Sequence, residues 1–214
     1  GKYSLILNSN VIGGSVGASF YVGGIAGYSA GQIRGCTNSA RIFAFENPTD
    51  KTSAYIGGIV AYSTVNAGVG VGNCINRGSI EIESSAHWSY VGGIVGEVDG
   101  NIENLQNYGN VSSKITFASE SANSDWIAYS YVGGIVGYHS LPRKFSGDNR
   151  DLLNEGNILA VFDNKIENGQ FMVGGVVGCS YRTTITNALN RGSVVAHGFG
   201  KLMKTFVGGV IGQA

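Results

Sequence analysis

Tyr90-Val-Gly-Gly-Ile-Val-Gly96 is the stretch that decides the fold, because the chain keeps returning to it. Related phrases start at Tyr21, Tyr55, Tyr131, Met172 and Phe206, making six copies at intervals of 34 to 41 residues. A period of that size marks stacked supersecondary units, none of which buries its apolar face until a neighbour covers it.

A second phrase, Asn-x-Gly-x-Ile/Val, lies between the copies of the first. Its anchors are Asn8, Asn38, Asn76, Asn107, Asn154 and Asn190. Four of these have Gly at the third position and one has Asn10, residue types that tolerate positive φ, so each phrase is expected to turn tightly into a strand. Ala40 takes that place once and marks a less regular rung.

Past this turn Ile80 and Ile82 alternate with Glu81 and Glu83, the two-residue period of a strand. The segment before the Asn has apolar residues at odd spacing, Ile33 with Cys36, Ile102 with Leu105 and Ile185 with Ala188, which predicts a bend or bulge. No helical apolar stripe is present. The reading is an all-β parallel β-helix, a β-solenoid of about six coils with three short strands per coil and variable loops, forming one domain over residues 1–214. The chain opens on the Asn phrase and closes on the Gly-Gly phrase with no cap evident at the C-terminus. A segment of a longer chain, or end-to-end self-association, is therefore expected.

Stacking at roughly 4.8 Å per coil turns each recurring position into a ladder. The six Asn should line one internal corner, pairing their amides with each other and with turn backbone. Tyr21, Tyr55, Tyr90, Tyr131, Met172 and Phe206 should form a packing column of rings. Cys36 and Cys74 fall two residues before the Asn, in a column continued by Leu105, Leu152, Ala188 and Ile6. They read as buried free thiols, with Cys179 in a different column.

Net charge is zero and charged residues make up 13% of the chain, which argues against a nucleic-acid or anionic-membrane binder. No apolar run reaches transmembrane length, so no membrane insertion by this segment is expected. His87, His139 and His197 fall in separate coils and show no ligand spacing; no metal and no cofactor is expected.

The repeat Val-Gly-Gly-Ile-Val-Gly-Tyr, followed by the pattern Ile-x-Asn-Cys-x-Asn-x-Gly-x-Ile, resembles the GLUG-type repeats of large secreted or surface-bound bacterial proteins. The resemblance spans nearly the whole chain. It implies an extracellular or cell-surface setting, in adhesin-like chains or in accessory regions of some immunoglobulin A proteases. Ala40, Ala61 and Asn149 depart from the pattern at single rungs. No His-Glu-x-x-His zinc signature accompanies it.

Binding residues are expected where the repeat is interrupted, at residues 112–130 and 139–151, because loops on a rigid scaffold carry recognition. The second stretch is charge-dense and offers Arg143, Lys144 and Arg150 to an acidic glycan or a partner protein. Phe43 and Phe45 should point outward from the third strand, beside Glu81 and Glu83 on the next coil and then Ser112 and Lys114. The expected function is a non-enzymatic, adhesin-like binding or stalk module for a host or cell-surface glycan or protein. The alternative is a polysaccharide-acting β-helix enzyme, a lyase or glycosidase, using Glu81 and Glu83, whose carboxyls would lie roughly 7 Å apart. Against that, Glu83 is expected to pair with Lys114 across strands.

Overall fold

The computed structural model describes residues 4–44, 53–116, 127–141, 148–163, 168–198 and 202–214. These hold strands and turns without a helix, arranged as three sheets in which the strands pair in parallel. The chain is a parallel β-helix. The second sheet stacks Ser15–Ala18, Arg41–Ala44, Ile80–Ser84, Val111–Thr116, Ile158–Asp163 and Val194–Gly198 in that order. The third stacks Tyr21–Gly23, Ser53–Gly57, Trp88–Gly92, Ala128–Gly133, Asn168–Gly174 and Leu202–Gly208.

The first sheet is longer than the three-strand expectation allows, because within each coil its strand runs out and comes back. Val60–Asn76 and Val95–Asn107 do so as continuous strands, while other coils split into an outbound piece such as Val177–Tyr181 and a return piece such as Thr184–Asn190. The two arms enclose their own apolar column, including Ile59, Val60, Val71, Cys74, Val98 and Leu105. A separate column, including Ile42, Ile56, Ile80, Val91 and Phe162, fills the space between the second and third sheets. The β-helix thus has two parallel cores.

A polar waist divides them, and it is built from the two recurring phrases. Asn38, Asn76, Asn107 and Asn154 are fully buried. Each donates through Nδ2 to the Oδ1 of the next Asn at 2.8–2.9 Å, a chain that ends on Asn190. Each also closes its own turn: Asn107 Nδ2 donates to Gly109 O at 2.8 Å, and Asn107 Oδ1 accepts from Gly109 N at 3.2 Å. The second Gly of the Gly-Gly pair packs directly on these amides. A Cβ on Gly93 would lie 2.5 Å from Asn107 Cγ and 2.0 Å from Gly134 O. Just past this Gly, two successive N–H groups converge on one carbonyl of the next coil, as Ile94 and Val95 do on Ile135 O. The two phrases recur together because each fills the other's corner.

The glycine of Asn-x-Gly serves a different purpose from the one its type implied. The positive-φ glycines among the described residues are Gly14, Gly35 and Gly68, none of them in that turn. The requirement is closeness, since a Cβ on Gly78, Gly109, Gly156 or Gly192 would stand 1.8–2.0 Å from a carbonyl oxygen of the preceding rung. Ala40 is tolerated because the rung before it is looser there: Ser39 N bonds Val11 O and Arg41 N bonds Gly14 O, so two residues, Ile12 and Gly13, span the place of one. Ile12 is 92% exposed.

Of the predicted bend or bulge, the structure has a bend, since the register stays one-to-one through it, and it has its own chemistry. Asn8, Gly35, Asn73, Asn104, Asp151 and Asn187 take left-handed φ values of 47–66° between the apolar residues of the return arm. Asn, Asp and Gly are the types that accept this conformation at least cost. Asn8 therefore belongs to this column and not to the internal ladder, where the strand register sets Val11 opposite Asn38. Ile6 likewise pairs with Ile33 and not with the cysteines. Outside the core the bend residues form short side-chain links of their own, Asn104 Nδ2 to Asn73 Oδ1 at 2.9 Å and Asn187 Nδ2 to Asp151 Oδ1 at 3.1 Å.

The first-sheet core also takes in polar residues, the largest of them in one coil. Asn149, an apparent departure from the apolar pattern, is fully buried, accepts a bond from Ile102 N at 2.9 Å and donates to Thr184 O at 3.0 Å. His139, also fully buried, is bonded through Nε2 to Gly100 O at 2.9 Å, while its buried Nδ1 has no hydrogen-bond partner. Burial pushes the imidazole pKa down to about 4 against an ordinary value of 6.5. The neutral ring folds and the unfolded chain takes up the proton, so stability is full above pH 6.5 and lost as pH falls towards 4. The expected loss is roughly 3 kcal/mol. Chemical denaturation at pH 7, 5.5 and 4 should show this fall, and His139→Leu should flatten it relative to the parent protein.

Candidate functional site

The third sheet alternates strictly. Val22, Ile56, Val91, Val132 and Val173 point into the core, which turns the residue before each to the outside. Tyr21, Tyr55, Tyr90 and Tyr131 consequently stack along the outer face, with ring centroids 4.7, 4.7 and 5.2 Å apart and planes within 17° of parallel. The expected ring column exists, but it lies outside the core.

Across the Gly-Gly corner a second column faces it. Tyr28, Tyr62, Glu97, Tyr138 and Cys179 are in register on the outbound arm of the first sheet. Each stands seven residues after the head of its phrase, a constant spacing that pairs the two walls coil by coil. Tyr62 stacks on Tyr55 at 5.2 Å, and Tyr138 meets Tyr131 at 5.0 Å and Tyr90 edge-on at 6.0 Å. Tyr21 and Tyr28, both in the first coil, are exposed, and Tyr55, Tyr62, Tyr90, Tyr131 and Tyr138 beyond them are half-buried. The result is a tyrosine-lined groove running along the β-helix.

A single acid interrupts the aromatic wall. Glu97 occupies the place that Tyr62 and Tyr138 hold in the coils on either side. Burial, followed by the nearby negative charge of Asp99, pushes its carboxyl up to about 8. Asp99 itself is engaged: Tyr62 Oη donates to Oδ2 at 3.0 Å, and Ser140 Oγ donates to Oδ1. Burial also raises the phenol of Tyr90 and pushes that of Tyr138 up to about 12, so the groove presents neutral hydroxyls at physiological pH. Because the rings of Tyr55 and Tyr90 have both faces stacked on other rings, the groove offers hydroxyls and ring edges there.

Of the residues expected to bind, Phe43 lies on the outer face of the second sheet in register with Glu81 and Ser112. Arg41 sits over its ring at 5.1 Å while gripping Glu81 through two bonds of 3.0 and 2.6 Å. Phe45, Arg143 and Lys144 lie outside the described residues. Arg150 is a strand residue within Asp148–Asn154, where its Nη2 approaches Glu103 Oε2 at 3.4 Å. Arg34 holds the other oxygen of Glu103 at 2.9 Å. The interruption read over 139–151 is therefore shorter, since Val136–Ser140 and Asp148–Asn154 are both strands.

Glu83 pairs with Lys114 at 2.5 Å, as the cross-strand reading required. The Arg41 hydrogen bonds hold the Glu81 carboxyl below its usual range. Cys36 and Cys74 are buried free thiols, and burial pushes Cys74 up to about 12. Cys179, at the far end of the groove, is pushed up to about 11 by burial. Among the described residues no group of His, Cys, Asp and Glu is placed to hold a metal ion, and no helix is long and apolar enough to cross a membrane.

Neither a curated protein nor a solved structure matches the chain significantly. The family model of the GLUG motif matches residues 18–42, from the start of the tyrosine column through the first Asn turn to the second sheet. The strand register carries the same corners and columns through the coils that follow, and the protein is a GLUG-type repeat protein.

Proposed function

We propose that this β-helix is a non-enzymatic, adhesin-like binding or stalk module of an extracellular or surface-displayed bacterial protein, contacting a glycan or protein of a host or cell surface. The observation that carries this reading is the tyrosine groove: half-exposed rings and hydroxyls held in fixed register on a rigid scaffold. Tyrosine joins a large apolar body to a polar tip and loses little entropy when bound, which suits it to recognition. The GLUG motif is typical of extracellular and surface proteins, in keeping with this reading. Arg143, Lys144, Phe43 and Phe45 remain secondary contact candidates, and Arg150 contributes through its strand.

The non-enzymatic part of the proposal is supported by how Glu81 and Glu83 are held. Each lies on a surface strand and is paired with a cation, Arg41 or Lys114, and the Glu81 carboxyl is held below its usual range, opposite to the shift a general acid needs. The test is an array of surface glycans and matrix proteins. We expect the parent protein to bind at least one component and the double variant Tyr21→Ala, Tyr28→Ala to lose about tenfold or more in affinity, with little change in Tm. An array without binding, or binding indifferent to the groove and to Arg143→Ala with Lys144→Ala, would refute it. Turnover of a polysaccharide, stopped by Glu81→Gln or Glu83→Gln, would establish the enzyme instead.

A further inference from the structure

The two walls of the groove match tyrosine to tyrosine until the coil of Tyr90, where the partner is Glu97. A carboxylate side chain is much smaller than a phenol ring, so the wall has a notch there, bounded by Tyr62 and Tyr138 along the column and by Tyr90 across it. Among the described residues no hydrogen-bond donor or cation is seated on the Glu97 carboxyl. The other acids of the outer surface behave differently: Glu81, Glu83, Glu103 and Glu155 each have an Arg or Lys partner, and Asp99 has two hydroxyls. A half-buried carboxyl ringed by tyrosines and left without a cation has the chemistry of an ammonium receptor.

We propose that the Glu97 notch binds an alkylammonium group carried by the surface the module recognises. The proposal rests on the reading of the groove as the binding face and adds the chemical class of one ligand group. The ligand's positive charge sits against the Glu97 carboxylate, and its methylene or methyl groups take the apolar contact of the surrounding rings. Without ligand the carboxyl carries its proton at neutral pH. The titratable groups facing it are Asp99 on its own strand, Tyr62 and Tyr138 on the neighbouring coils, and Tyr55, Tyr90 and Tyr131 across the groove. The phenols stay neutral, so binding at pH 7 should release about one proton from Glu97.

The probes are choline and n-butylamine, titrated calorimetrically into the whole protein at pH 7 in two buffers of different ionisation enthalpy. We expect at least one to bind with release of about one proton, and Glu97→Gln to weaken it about tenfold and abolish the release. Glu97→Tyr, which restores the column that Tyr62 and Tyr138 define, should eliminate binding. Both variants should melt no lower than the parent, since each removes a buried unpaired acid; should Glu97→Tyr fail to fold, Glu97→Gln decides. Neither probe binding at tens of millimolar, or Glu97→Gln binding like the parent, would overturn the proposal. If the array partner is still held through Tyr21 and Tyr28 in that event, only the ammonium assignment falls and the binding face stands.

Discussion

Gly93→Ala should be among the most damaging single substitutions in this protein, and Gly209→Ala among the mildest. At Gly93 the added methyl would stand 2.0 Å from Gly134 O and 2.5 Å from Asn107 Cγ, whereas at Gly209 nothing lies within 4 Å. Neither position has positive φ, so backbone strain is the same small term at both. What differs is the room. The obstacles at Gly93 are backbone and a ladder amide, which shift only if adjacent coils separate and weaken their shared hydrogen bonds. The expected loss is about 3 kcal/mol or more, at or above the top of the usual range for overpacked cores. At Gly209 the gain from a stiffer unfolded chain should roughly balance any cost, within about 0.5–1 kcal/mol. Denaturant midpoints for the two variants give the comparison. Equal midpoints would mean that the coils are not in contact at the waist.

Asn107→Leu tests the same region by removing hydrogen bonds, since leucine keeps the branching of the side chain but replaces the amide O and NH2 with bulkier methyl groups that cannot bond. Asn107 makes four hydrogen bonds: it accepts from Asn76 Nδ2 and Gly109 N, and donates to Asn154 Oδ1 and Gly109 O. Leucine would leave those four partners short of a bond in a site with no access to water. An orphaned buried polar group costs about 1–3 kcal/mol, and some recover part of this through a second bond. We therefore expect a loss of about 4 kcal/mol, read as a fall in denaturant midpoint at unchanged m-value. Asn190→Leu should cost less, since that residue is only partly buried and receives the ladder without passing it on. A small loss at Asn107 and a larger one at Asn190 would contradict the ladder as drawn.

Much of the architecture could be read from the residues because repetition supplies its own register. Once Asn76, Asn107 and Asn154 are aligned, the ladder, the turn and the alternation of Ile80 to Glu83 follow from strand geometry. Asn8 escaped because asparagine serves two columns in this fold, one hydrogen-bonding inside and one accepting left-handed φ outside, and only the register tells them apart. The return of the first strand was hidden for a related reason: an apolar run such as Val69 to Ile75 packs equally well against another sheet or against its own outbound arm. The groove was the largest omission. Tyr90 in a strand reads as a core ring until Val91 is known to occupy the core, and Glu97 means little without Tyr62 and Tyr138 beside it. The spacing of seven residues between the two walls was nevertheless visible in the sequence.

The Asn ladder also has a direction. From Asn38 to Asn190 each amide donates towards the C-terminal end and accepts from the N-terminal side, without one reversal. Aligned amides polarise one another, as the links of any hydrogen-bonded chain do. The column therefore begins with the Asn38 oxygen, buried beneath the first coil where Val11 takes the ladder position, and ends on the Asn190 amide, so only the Asn190 end can hand the chain on to a further Asn. Extending the ladder is a one-way, head-to-tail operation, incompatible with a two-fold symmetric pair. The arrow set by a side-chain amide inside one coil thus becomes the arrow of any assembly built from it.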